Sequence, residues 1–150
     1  RVYCNRGTSG IDGSTSTAMG FAIKDVQQTV LVTGDMSFFY DINGLWNNYI
    51  PPYTRIIVFN NGGGDIFKII PGPSSTNALD EFILTKHHKN AEHIAKHFGF
   101  AYTLVDDEDT LSRVLDNFFK PDEKAKILEV DTSAIENAEV LKGYFEFLKS

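Results

Sequence analysis

The feature that most constrains this fold is a set of short runs rich in branched aliphatic residues, each followed by a segment with helical spacing. QTVLVT (28–33) and RIIVFN (55–60) are apolar at consecutive positions rather than at alternate ones. That pattern belongs to strands covered on both faces, because a strand with one wet face alternates apolar and polar residues. AYTLVD (101–106) and AKILEVDT (125–132) read as two more strands, and RVYCN (1–5) as a short fifth candidate. Helical segments separate them. STSTAMGFAIKD (14–25) opens with hydroxyl capping residues. SFFYDINGLWNNYI (37–50) spaces Phe38, Ile42, Leu45 and Trp46 like a helix, and the Pro51-Pro52 pair stops it. NAEHIAKHFG (90–99) puts Ala91, Ile94, Ala95 and Phe98 on one face. DEDTLSRVLDNFFKP (107–121) does the same with Leu111, Val114, Leu115 and Phe118, and residues 133–149 form a last amphipathic helix. Strands and helices that alternate this way make βαβ units. The expected class is therefore α/β: a three-layer, doubly wound, mostly parallel sheet with helices on both faces.

Composition narrows the partners. At 150 residues the chain has the size of one domain, spanning 1–150. Its net charge is −6 and its Lys and Arg are scattered, so a nucleic-acid surface is not expected. No apolar stretch approaches the roughly 20 residues of a membrane span. One cysteine, Cys4, cannot form an internal disulfide, and a cytoplasmic setting is expected. Cys4 lies without a base to activate it and reads as a packing residue. The sequence begins in what reads as the middle of a strand–loop unit, on RVYCNRG, and suggests a domain of a longer protein.

In open parallel sheets, ligands bind at the carboxyl ends of the strands. Three polar stretches fall there: Arg6 after the first candidate, Gly34-Asp35 after the second, and Asn60-Asn61 after the third. Asp35 supplies a hard anionic oxygen, and Met36 and Ser37 open the next helix with free N–H groups, a setting that attracts phosphate. Mg²⁺ takes about six oxygens, shared between a few protein groups and substrate phosphates. The segment NNGGG offers an amide oxygen and a backbone able to turn a carbonyl inward. Alone, Gly-Asp is an ordinary helix cap and Asn-Asn-Gly an ordinary turn; their order on adjacent βα units favours a shared metal. The loop of residues 62–86, rich in Gly, Pro, Ser and Asn, is long enough to be functional. GTSGIDG (7–13) is not the dinucleotide fingerprint GxGxxG, which argues against NAD. His93 and His97 lie four apart but outside an HExxH motif and read as a solvated face; tandem His87-His88, beside the loop, receives no role.

GD followed about two dozen residues later by NN resembles the signature of the thiamine diphosphate enzymes, in their diphosphate-binding domain. NRGTSGIDGSTSTAMG, GDMSFFYDINGLWN and NNGGGDIFKIIPG are most similar to the menaquinone-pathway branch of that family, densely over residues 3–72 and in architecture beyond. Met36 stands where the common form has a third Gly, and the spacer to the Asn pair is short. The resemblance implies a thiamine diphosphate-binding fold, with Asp35, Asn61 and the Gly63 carbonyl holding Mg²⁺ (or Mn²⁺). It implies that Gly34, Met36 and Ser37 meet the diphosphate and that Ile11 props the bent cofactor. Arg6, Ile66 and Phe67 would face the substrate, a guanidinium suiting a carboxylate-rich one. The activity implied is decarboxylation of 2-oxoglutarate and addition of the succinyl-semialdehyde carbanion to isochorismate. The activating glutamate would come from a pyrimidine-binding domain of the same or a partner subunit, in a homodimer or homotetramer. The chain alone is then expected to be inactive. An acetolactate synthase or 2-oxo acid decarboxylase would be expected to carry GDG and to lack NRGxxGIDG. A non-catalytic flavodoxin-like binding module would need no Mg²⁺ at Asp35.

Overall fold

The computed structural model describes residues 1–5 and 10–150. Within them, strands β1 (Val30–Gly34), β2 (Arg55–Asn60), β3 (Ala101–Val105) and β4 (Lys126–Asp131) form one parallel sheet in the order β1-β2-β4-β3. The α-helices are α1 (Ser14–Lys24), α2 (Asp35–Tyr40), α3 (Glu92–His97), α4 (Glu108–Phe118) and α5 (Asn137–Phe147). Successive side chains of a strand point to opposite faces. Ile56 and Val58 of β2 and Ile127 of β4 therefore share one face, where Met19 of α1, Phe38 of α2 and Ala95 of α3 close the larger core. Val105 and Leu128 point the other way, against Phe118, Leu111, Val114 and Leu115 of α4. Helices thus lie on both faces, but the second face is covered only over β2, β3 and β4: Val30 and Val32 of β1 are 41% and 58% exposed, so the two-sided covering expected of QTVLVT is not met. Burial of each such side chain contributes about 1.5–3 kcal/mol.

The seam between β2 and β4 runs from Arg55 opposite Lys126 to Asn60 opposite Asp131, and a buried polar group fastens each end. At the start, the Arg55 side chain is fully buried and donates to the carbonyls of Pro52, Thr54, Phe118 and Lys120 at 2.6–2.9 Å. Two of these carbonyls lie at and just beyond the end of α4, where a positive charge opposes the helix dipole. Burial lowers the Arg55 pKa from its ordinary value, and Asp122 partly opposes this. At the far end sits Glu129, also fully buried.

Several expectations need correction. Residues 1–5 form no strand, and Val2 and Tyr3 are exposed with no core to cover them. Cys4 is exposed as well, so it is not a packing residue. The helix expected over 37–50 ends at Tyr40 and continues only as a 3-10 turn, Ile42–Leu45. The cause is Asp41, whose carboxylate turns back to accept the Ser16 N–H at 2.7 Å and the Ser16 hydroxyl. That cap holds the start of α1, and the chain then passes so close that a Cβ on Gly44 would stand 2.8 Å from the Ser16 backbone. Trp46 consequently ends exposed. The stretch 62–86 is not irregular either. It holds short turns at Asp65–Lys68, Pro73–Ser75 and Leu79–Ile83. Two hydrogen bonds shut its base, Gly64 N–H to Leu84 O and His87 N–H to Gly62 O.

Candidate metal centre at the strand ends

Gly34 pairs with Phe59 across β1 and β2, so the chain segments that leave the two strands emerge side by side. Asp35 follows one and Asn60-Asn61 the other. Asp35 is 2% exposed, and a carboxylate so buried needs hydrogen bonds or a cation to offset its lost hydration. Backbone supplies three bonds. Oδ1 accepts the Met36 N–H at 2.6 Å, and Oδ2 accepts those of Gly62 and Gly63 at 3.0 and 3.1 Å. Asn61 Oδ1 accepts the same Gly63 N–H at 3.2 Å. One N–H therefore draws both expected side-chain ligands together. The turn that presents it is glycine for steric reasons. Gly62 and Gly63 have φ of 78° and 157°, and a Cβ on Gly63 would lie 2.6 Å from Leu84 O.

Around this pair the other expected residues divide. Ser37 Oγ donates to Ile11 O at 2.9 Å and lies 2.7 Å from Ser14 Oγ, which fastens the Ile11 segment to α2. Ile11 is 42% exposed. Gly34 has an ordinary extended φ, and a Cβ placed on it would meet nothing within 4 Å among the described residues, whose packing does not require a glycine there. The open space beside it suits the close approach of a ligand. Ile66 and Phe67 occupy the next turn, Asp65–Lys68, with Ile66 exposed and Phe67 half-buried. Arg6 lies outside the described residues. Among the described residues no cluster of three or more His, Cys, Asp or Glu side chains could hold a metal. The donors present are hard oxygens, the chemistry that suits Mg²⁺ completed by phosphate and water. His93 and His97 are both exposed, and His97 packs edge-on against Phe98 with ring centroids 4.7 Å apart.

Two residues with no role in the sequence reading join this site. The His87 side chain is 7% exposed, with its Nε2 3.1 Å from Asp35 Oδ2, although the approach is too oblique to count as a hydrogen bond and leaves Nε2 without a partner among the described residues. Glu129 accepts three hydrogen bonds: from Asn60 Nδ2 at 2.6 Å, Ala91 N–H at 2.7 Å and Tyr102 OH at 2.6 Å. Asn60 also donates to Lys89 O and accepts the Gly62 N–H, so Glu129 reaches the glycine turn through it. Burial, then the Glu129 hydrogen bond, pushes the Tyr102 phenol well above its ordinary pKa. A carboxylate in the middle of the apolar run KILEV was the available signal for Glu129. His87, remote in sequence from Asp35, offered none.

Comparison with known proteins adds a second line. No protein-family model matches the chain. It is 45% identical, over its full length, to 2-succinyl-5-enolpyruvyl-6-hydroxy-3-cyclohexene-1-carboxylate synthase of Christiangramia forsetii. It is 49% identical over 98% of its length to the synthase of the same name from Flavobacterium psychrophilum. The chain spans about a quarter of these relatives (26% of each), matching their C-terminal part. Among solved structures it resembles the thiamine diphosphate-dependent 4-hydroxybenzoylformate decarboxylase of Rhodococcus jostii. That match has a TM-score of 0.61 and 24% identity over 77% of this chain and 22% of the other, a likeness of fold. With a parallel sheet of that fold and close identity along its whole length, the chain belongs with the C-terminal portion of the 2-succinyl-5-enolpyruvyl-6-hydroxy-3-cyclohexene-1-carboxylate synthase family.

Proposed function

We propose that this chain holds the Mg²⁺–diphosphate end of thiamine diphosphate, as part of a protein that decarboxylates 2-oxoglutarate and joins the remaining four-carbon unit to isochorismate. The observation that carries this reading is the convergence of Asp35 and Asn61 on one glycine turn at the ends of adjacent strands. Asp35 Oδ1, which accepts only the Met36 N–H among the described residues, would be the carboxylate oxygen on the cation; Asn61 Oδ1 would supply a neutral oxygen and the Gly63 carbonyl the third donor. A phosphate would approach the backbone beside Gly34, where a Cβ would meet none of the described residues within 4 Å. Thiamine diphosphate, when bound, supplies the electron sink that decarboxylation of a 2-oxo acid needs. The chain's own residues bind the metal, orient the diphosphate and line one wall with Ile11, Ile66 and Phe67. Arg6 would meet a substrate carboxylate. The base-activating carboxylate and the remaining substrate contacts belong to a pyrimidine-binding domain, in the same or a partner subunit.

The test is calorimetric titration of the complete protein with thiamine diphosphate, with and without Mg²⁺. Asp35→Asn keeps the shape of the side chain and removes the only full negative charge among the proposed ligands. It is expected to abolish the Mg²⁺-dependent part of binding while the far-UV circular dichroism stays unchanged. Binding with unaltered metal dependence would refute the ligand assignment.

A further inference from the structure

The geometry points to His87 as a positioning residue that aims the Asp35 carboxylate, and through it the divalent cation. The inference rests on Asp35 being a metal ligand, and it concerns which carboxylate oxygen is left for the metal. Oδ2 already accepts the N–H groups of Gly62 and Gly63. His87 Nε2 stands 3.1 Å from that same oxygen. The His87 Nδ1 accepts the Lys89 N–H at 3.1 Å, so a neutral ring carries its proton on Nε2, the nitrogen facing the carboxylate. An N–H held so close to Oδ2 favours carboxylate orientations that keep this oxygen on the ring, which leaves Oδ1 as the oxygen for the metal.

The ring has little freedom to move away. Its backbone N–H is bonded to Gly62 O at 3.0 Å, and Phe39 packs edge-on against it with ring centroids 5.4 Å apart. The contacts also form a closed circuit. Lys89, which orients the imidazole, has its carbonyl bonded by Asn60 Nδ2 at 2.8 Å, and Asn60 Oδ1 accepts the Gly62 N–H at 3.1 Å. Gly62 then returns to Asp35. One asparagine thus sets the distance between the imidazole and the glycine turn, and both press on the same oxygen. A histidine that merely filled space beneath the loop would need neither the Nδ1 contact nor the approach to Oδ2.

The two roles separate in a pair of variants of the complete protein. His87→Phe keeps a ring for Phe39 and removes the donor; His87→Gln removes the ring and returns an N–H near the position of Nε2. Free Mn²⁺ is measured by electron paramagnetic resonance in the presence of thiamine diphosphate, and melting is measured without metal. Loss of a group that orients a metal ligand lowers metal affinity by about 10–100-fold. His87→Phe is expected to weaken Mn²⁺ binding by that factor with little change in metal-free melting, and His87→Gln to recover most of the affinity. Wild-type Mn²⁺ affinity in His87→Phe, with Asp35→Asn weakened, would overturn the role of His87 and leave the metal site standing. Unaltered affinity in Asp35→Asn would instead overturn the site and this inference with it. Should His87→Phe fail to fold, His87→Leu takes its place; if neither folds while His87→Gln does, the side chain supports the fold and the proposal fails.

Discussion

Replacement of Glu129 by Gln perturbs this protein at one buried group whose hydrogen bonds can be counted. The carboxylate accepts from Asn60 on Oε1 and from Ala91 and Tyr102 on Oε2. An amide of the same shape has one acceptor and one donor end. Its best placement puts the oxygen at the Oε2 position, which keeps Ala91 and Tyr102 but sets its NH₂ against the NH₂ of Asn60. A buried donor deprived of its acceptor costs about 1–3 kcal/mol. The two retained bonds lose their charge assistance, which roughly doubles the strength of a neutral bond. Asn60 keeps its bond to Lys89 O, which moderates the loss. The sum is about 2–4 kcal/mol, and for a chain of this size each kcal/mol lowers the melting temperature by roughly 2–4 °C. Thermal unfolding of the chain by far-UV circular dichroism should then show a drop of roughly 4–16 °C. Tyr102 gives a second reading. Its phenol is raised above 10.0, first by burial and next by the Glu129 hydrogen bond. A raised folded-state value means stability that is complete below pH about 10 and is lost as pH climbs beyond it. Glu129→Gln should lose less over that alkaline range, and an ultraviolet titration should find the phenol lower than in the wild type but still above its ordinary value. Equal melting temperatures would refute the reasoning, because they would mean that the three bonds contribute nothing.

Gly63→Ala forces a Cβ to within 2.6 Å of Leu84 O from a backbone conformation that L residues avoid. It should destabilise the chain by about 1–3 kcal/mol and remove Mg²⁺-dependent cofactor binding; a variant that melts and binds like the wild type would contradict this. Asp107 caps α4 by accepting the Thr110 N–H at 2.8 Å, and hydrogen bonds from the Thr110 side chain and then its backbone hold the carboxyl below its usual range. A depressed folded-state value gives stability that is present above pH about 3.8 and lost as pH falls through the lower value. Asp107→Ala should therefore melt below the wild type at pH 7, and the two should converge in acid unfolding profiles below pH about 3.8.

Much of the fold was legible because the continuous apolar runs of parallel strands have no polar alternation to blur them, although the run in β1 leaves Val30 and Val32 exposed. RIIVFN was read as a strand to its observed ends, and the inward residues of α4 all lie in or against the smaller core. The strand-end logic placed Asp35 beside the glycine turn for the same reason, since it needs only the order of elements. Errors arose where a long-range side-chain bond outweighed local spacing. Ile42, Leu45 and Trp46 are spaced for a helix, but Asp41 is drawn to Ser16 and ends it. Arg55 read simply as the first residue of a strand, because the four carbonyls that surround it come from segments whose proximity only the fold creates. His87 was invisible on the same ground. Its partner is the end of another βα unit, and no spacing rule connects them.

The seam between β2 and β4 has a consequence for how the chain acquires its site. β1 pairs with β2 and β3 with β4 across short intervals of sequence, whereas β2 and β4 join residues 55–60 to residues 126–131. Closing the longer loop is the entropically harder step, so each βα pair can form before the two halves meet. Arg55 at one end and Asn60–Glu129 at the other become bonded only on that meeting. The glycine turn depends on Asn60, which in turn needs Glu129 from across the seam. A half-formed chain could carry Asp35 on a sound strand and still have no place to put a cation. The binding geometry therefore arrives with the last cooperative step of folding, and the amides of β2 and β4 should exchange with solvent only in openings that also dismantle the site.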